Sequence, residues 1–117
     1  MEDNIERGRV TVLIGGKQRF FRFGLSLMMA YTEAKGVDIT ALHEALAANP
    51  LRALIDLLVY ALRDDADLPA KNAHLTVADW VEDMGQEDAN KLVKAMMSGL
   101  TAVAENPLVA AMSQKQA

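Results

Sequence analysis

Arg9-Val-Thr-Val-Leu-Ile14, Gly15-Gly16, Lys17-Gln-Arg-Phe-Phe-Arg-Phe23 and then Gly24-Leu-Ser-Leu-Met-Met-Ala-Tyr-Thr-Glu-Ala-Lys-Gly36 is the stretch that decides the fold. Two β-rich runs flank a glycine pair that accepts positive φ without steric cost, the local condition for a two-residue hairpin turn. Alternation puts Val10, Val12 and Ile14 on one face of the first strand, with Thr11 and Leu13 on the other. On the return strand Arg19, Phe21 and Phe23 share one face, and Phe20 and Arg22 the opposite one. Apolar groups on both faces predict that one packs on helices and the other meets a partner or another part of the chain.

Outward from the hairpin, helical spacing takes over. Ser26 is a candidate N-cap for a helix striped by Leu27, Tyr31 and Ala34, with Met28 beside them, closing at Gly36. Asp38 is a candidate cap for a short helix carrying Ile39, Leu42, Ala45 and Leu46. Asn49-Pro50 reads as an N-cap followed by proline at the first helical position, and Leu51, Leu54, Ile55, Leu58 and Leu62 make the central core helix. The span from Asp64 to His74 reads as an exposed loop. Thr76 is expected to cap a helix bearing Val77, Trp80, Val81 and Met84. A last helix, Glu87 to Ala104, presents Ala89, Leu92, Val93, Met96, Met97, Leu100 and Val103 before Asn106-Pro107 breaks it.

The expected architecture is mainly α (α+β): an N-terminal β-hairpin packed on a small bundle of about five helices. Residues 1–8 are expected to be a flexible N-terminus, 9–104 one domain, and 105–117 a weakly patterned C-terminal tail. A chain of 117 residues is long enough to bury roughly two thirds of its unfolded surface in a single core. The absence of cysteine removes disulfides, thiolate nucleophiles and cysteine-based metal sites, and points to an intracellular setting. The start is acidic rather than a basic and apolar leader, and no apolar run approaches the roughly 20 residues of a membrane span. The net charge of −4 is uneven: residues 1–24 hold five Lys/Arg against three Asp/Glu, the remainder seven against thirteen. The hairpin is mildly basic and the helical body acidic, a polarity that orients partners or subunits as they meet.

No catalytic or metal constellation is complete. His43-Glu44 lacks the second histidine of a zincin helix, since Ala47 occupies its place. Asp64, Asp65 and Asp67 lack the glycine of a calcium loop and are followed by Pro69, so they read as a solvated helix end. Gly15-Gly16 with Lys17 lacks the spacing of a phosphate loop and reads as a turn. Ser26, Thr32 and Ser98 have no His/Asp arrangement near them that would activate a nucleophile. The sequence therefore reads as non-enzymatic, with no cofactor and no metal.

Two features suit partners. Lys17 to Phe23 interleaves cations with aromatics, the combination that stacks bases and neutralises phosphates, although it does not match the ribonucleoprotein consensus. Seven methionines include the pairs Met28-Met29 and Met96-Met97. Adjacent helical residues diverge by about 100°, so one of each pair can lie away from the core. The candidate partner-contacting residues are Phe20, Arg22, Met28, Met29, Met96 and Met97.

The order of features resembles the tail assembly chaperones of long-tailed bacteriophages and related prophages. The hairpin around Gly15-Gly16, the Arg22-Phe23-Gly24-Leu25 entry into the first helix, Glu33-Ala-Lys-Gly36 closing it, a central apolar helix, then Leu75-Thr-Val-Ala-Asp79 and a final helix carry the resemblance over residues 9–104. It implies a non-catalytic factor in the cytoplasm of the bacterial host that binds the tape-measure protein while tail tube protein polymerises around it, and that is absent from the mature virion. It also implies the shorter, non-frameshifted product of its gene, with self-association a further expectation. Nothing after Pro107 aligns, and no client-binding residue carries over. The alternatives are a structural tail or connector subunit and, more weakly, a nucleic-acid-binding module using Arg19, Phe20, Arg22 and Phe23.

Overall fold

The computed structural model describes residues 3–115. Strand β1 (Arg9–Ile14) pairs antiparallel with β2 (Lys17–Arg22), in register from Arg9 opposite Arg22 to Ile14 opposite Lys17. Gly15 and Gly16 turn the chain with φ of 64° and 80°, the doubly positive pair that a tight hairpin requires. Six α-helices follow: α1 (Leu25–Lys35), α2 (Ile39–Ala48), α3 (Pro50–Ala61), α4 (Ala73–Glu82), α5 (Gln86–Ala104) and α6 (Pro107–Lys115). The expected α+β class, a hairpin on a helical bundle, is the observed one.

The hairpin's inner face, Val10, Val12, Ile14, Phe21 and Phe23, is buried with Met28 and Tyr31 of α1, Leu42 of α2, the apolar face of α3, Val77 of α4 and Leu92, Ala95, Met96 and Leu100 of α5. Phe21 and Phe23 stack with their ring centres 5.8 Å apart. Each large side chain removed from water here contributes about 1.5–3 kcal/mol. Asp38 and Asn49 cap α2 and α3 by accepting from the N–H groups of Ala41 and Arg52.

The chain is ordered further at both ends than its sequence suggests. Residues 3–8 are not a loose arm: Asn4 and Arg9 exchange backbone hydrogen bonds of 2.8 and 2.9 Å around a single 3-10 turn, Ile5–Arg7, and Ile5 packs on the core. Gly8, at φ 79°, then lets the backbone lie flat between Phe23 and Gly99. Met1 and Glu2 lie outside the described residues. Over 105–115 the tail forms α6, because Asn106 accepts from the N–H groups of Leu108 and Val109 and Pro107 takes the first helical position. Asn106-Pro107 thus ends one helix and starts another, as Asn49-Pro50 does. Residues 116–117 lie outside the described residues.

Two caps differ from expectation. Gly24, in extended backbone, precedes α1, and Ser26 lies inside its first turn. Helix α4 starts three residues before Thr76, after Asn72 in left-handed backbone (φ 61°) with no side-chain cap. The Asn72 carbonyl accepts from the Thr76 N–H, so Thr76 is interior and His74 belongs to a helix rather than a loop.

Candidate functional site

Helices α2, α3 and α5 leave a groove of about 660 Å³ between them. Leu46 and Ala47 come from α2, Pro50, Leu51 and Leu54 from α3, and Val93, Met96, Met97, Leu100 and Thr101 from α5, with His43 at the edge. The chain builds it because its amphipathic stripes are wider than the neighbours that cover them. Leu51 and Val93 sit at core-like spacing in sequence, yet Leu51 is 64% exposed and Val93 44%. Among the described residues no Asp, Glu, Lys or Arg lines this groove, so it suits an apolar face rather than an ion or a polar small molecule.

The methionine pairs split as helical geometry demands. Met29 and Met97 are 59% and 49% exposed, whereas Met28 and Met96 are 1% and 3% exposed. Met28 is therefore a core residue and is corrected as a partner-contacting position. Met96 is likewise buried, and reaches a partner only as the groove floor beneath Met97.

On the hairpin, Arg22 is exposed and Phe20 half-buried on the outer face. Lys17 and Gln18 at the start of the cation–aromatic run are also exposed, with Lys17 paired to Asp67, whereas Arg19, Phe21 and Phe23 turn inward. Phe21 and Phe23 are buried, and Arg19 is a buried cation. Its Nε donates to Asp65 Oδ2 and its Nη2 to Asp67 Oδ2, both at 2.9 Å, while Nη1 donates to the Ile14 carbonyl. The guanidinium also lies 4.6 Å from the centre of the Trp80 ring. This leaves one half-buried aromatic on the outer face, not the series of stacking platforms that single-strand binding uses.

Asp65 and Asp67 are thus not a merely solvated helix end: they fix the loop after α3 to the hairpin. The hydrogen bond from Arg19, and then that from the Asp67 N–H, hold the Asp65 carboxyl below its ordinary range. The acids fell outside any local motif because their partner lies 46 and 48 residues away.

A second polar cluster converges on Asp56. Tyr31 OH donates to Oδ2 at 2.5 Å, and Lys35 Nζ and His74 Nε2 lie 3.2 and 2.9 Å from Oδ1. Burial pushes the Asp56 carboxyl up, but the hydrogen bonds from Tyr31, His74 and Lys35 outweigh it and leave the group lowered. Burial, and then the bond to Asp56, push the Tyr31 hydroxyl well above its ordinary value, so it is held as a neutral donor. The cluster ties α1 and α4 to α3. Its sequence signals were Asp56 as the single acid in an apolar helix and Tyr31 with Lys35 one turn apart on α1.

Among the described residues no group of three or more His, Asp or Glu side chains is placed to hold a metal ion. Thr32 Oγ1 bonds back to the Met28 carbonyl at 2.8 Å, a helix-internal contact. No helix of the described residues is long and apolar enough to cross a membrane. Comparison with known families, with curated proteins and with solved structures finds no match for this chain.

Proposed function

We propose that this chain is a non-catalytic assembly factor of the tail-assembly-chaperone kind, holding an apolar helical segment of a tape-measure protein in the groove between α2, α3 and α5. The observation that carries the reading is the open apolar groove with Leu51, Val93 and Met97 at its mouth. Val93 to Leu100 spans about 10 Å of helix rise, enough to seat about two turns of an amphipathic partner by the helix-in-groove mode. Methionine side chains adapt to irregular apolar ridges, which suits a client presenting many similar segments. The resemblance of residues 9–104 supplies the client class. On this reading the protein acts in the host cytoplasm, ahead of tail tube polymerisation, and leaves before the virion is complete.

The test is co-expression with a tape-measure protein, if one is encoded near this gene, comparing the native chain with Leu51→Asp and Met97→Asp. Native chain should keep the client soluble and co-purify with it, and both variants should fold but lose it. An insoluble, unbound client would end the chaperone reading. Recovery of this chain in purified particles would favour the structural-subunit alternative.

A further inference from the structure

Helix α2 separates two cavities of different chemistry. It turns His43, Leu46 and Ala47 to the apolar groove and Ala45 and Ala48 to a second cleft of about 620 Å³, positions that lie on opposite sides of a helix. Tyr31 and Lys35 of α1, Arg52 and Asp56 of α3 and His74 of α4 also line this cleft. Its volume is that of a small-molecule pocket.

The hydrogen-bonding capacity left over in the cleft decides what can sit there. The Asp56 carboxylate is already engaged at both oxygens: Oδ2 accepts from Tyr31, and Oδ1 faces Lys35 Nζ and His74 Nε2. What remains free on the neighbouring side chains donates. Arg52 carries five guanidinium N–H donors and, among the described residues, its side chain enters no ion pair and no hydrogen bond. Lys35 keeps N–H donors beyond the one turned to Asp56. Asn49 Oδ1 accepts from the Arg52 backbone N–H, which leaves the Asn49 amide N–H groups. The His74 ring adds a positive charge whenever it is protonated, and Nδ1 then donates as well.

Charge points the same way. In a chain of net charge −4, two fixed cations and a titratable ring here face a single acid. Arg52 stands in the first turn of α3, where the helix dipole favours anions and where this helix has no acid to meet it. The rest of the lining is largely aliphatic: Ala53 and Ile55 are buried, and Leu75 is 67% exposed.

We propose that this cleft binds a small organic monocarboxylate, with its carboxylate on Arg52 and Lys35 and its apolar body along Ala53, Ile55 and Leu75. A guanidinium fork matches a carboxylate with two parallel hydrogen bonds. A single negative charge suits the cleft better than a double one, because the Asp56 charge stays inside it. The aliphatic wall calls for a hydrocarbon body rather than a bare inorganic anion. None of the groove residues takes part, so this site stands or falls separately from the client reading.

The experiment is a proton–nitrogen NMR titration of the full chain with sodium octanoate at fixed ionic strength, with sodium phosphate and octylammonium chloride as separate arms. Octanoate should give saturable shifts at the amides of Lys35, Arg52 and Leu75 and at the His74 ring. Arg52→Gln should weaken octanoate about tenfold and Lys35→Gln about threefold. Both variants should fold, because the α3 cap uses only the Arg52 backbone N–H, and unchanged amide spectra away from the cleft check this. Leu51→Asp, in the groove, should bind octanoate as the native chain does. Phosphate and octylammonium should give no saturable shift at the cleft. Absence of a saturable octanoate shift, shifts confined to Val93 and Met97 of the groove, or native affinity in Arg52→Gln would each overturn the proposal. So would octylammonium or phosphate bound as tightly as octanoate, the first by removing the anion from the recognition and the second by removing the apolar body.

Discussion

Gly8 and Gly99 meet backbone to backbone: a Cβ built on Gly8 would lie 2.9 Å from the Cα of Gly99, and one built on Gly99 would lie 2.7 Å from the Phe23 Cβ. This contact seats the hairpin on α5. Phe23 is held there by its N–H, which donates to the Gly8 carbonyl at 2.7 Å, extending the strand pairing beyond β1 and β2.

In an ordinary helix interior Gly→Ala stabilises by up to about 1 kcal/mol. At Gly99 the sign should reverse, because the new methyl would press on both the Phe23 carbonyl and its side chain, and neither can withdraw without lifting the hairpin. Gly99→Ala is expected to cost about 1–3 kcal/mol in urea unfolding. Gly8→Ala should cost at least as much, since its φ of 79° adds backbone strain to the overlap. A stabilised Gly99→Ala would mean that the hairpin and α5 do not touch as described.

The Arg19 clamp gives a second prediction. Arg19→Met keeps most of the stem but leaves Asp65 without its cation, Asp67 with Lys17 alone, and the Ile14 carbonyl without the Nη1 donor. The acids remain partly solvated, so the loss should fall below that of a fully buried pair, at about 2–3 kcal/mol in chemical denaturation. The same variant should loosen the loop after α3, read as faster amide exchange there.

How much of this was legible in the sequence follows from which signals are local. The hairpin was, because Gly15-Gly16 and the two-residue alternation lie within fifteen residues of one another. Helix α3 was, because Asn49-Pro50 is both cap and first turn. The start of α4 was not: Asn72 begins it through a left-handed backbone with no capping side chain, so Thr76 four residues later carried the more familiar pattern. The Asp65–Asp67 clamp was hidden because its partner is far along the chain. The groove was hidden for another reason. Leu51 and Val93 have core periodicity, and only the positions of α2, α3 and α5 reveal that no neighbour covers them.

The carboxyl shifts set the acid limb of stability. Asp65 is lowered by the Arg19 hydrogen bond, and Asp56 is lowered because its hydrogen bonds outweigh burial. In each case the unfolded chain binds protons at a pH where the folded chain does not. Their contribution is therefore complete above the ordinary carboxylate range and is lost as pH falls below about 4. Asp65→Asn should flatten the fall in urea midpoint between about pH 4 and pH 2. The alkaline limb has the opposite cause: Tyr31 keeps its proton when folded and loses it near 10.0 when unfolded. Stability should drop above that pH, and Tyr31→Phe should remove that part of the drop.

The methionine pairs allow packing and partner contact to be separated on adjacent residues. Met96 is buried, and Met96→Ala should cost about 2–4 kcal/mol by opening a cavity beneath the groove. Met97, about half exposed, lies one residue on, and Met97→Ala should stay within about 0.5 kcal/mol of the native chain. Met28→Ala and Met29→Ala should divide the same way, since Met28 is enclosed and Met29 faces water. Retention of the co-expressed client should follow the opposite order on α5: Met97→Asp should lose it while unfolding at nearly the native midpoint. Met29→Asp, which lies outside the groove lining, should keep it. If Met29→Asp and Met97→Asp released the client equally, the binding surface would lie on α1 as well, and the groove would not be its site.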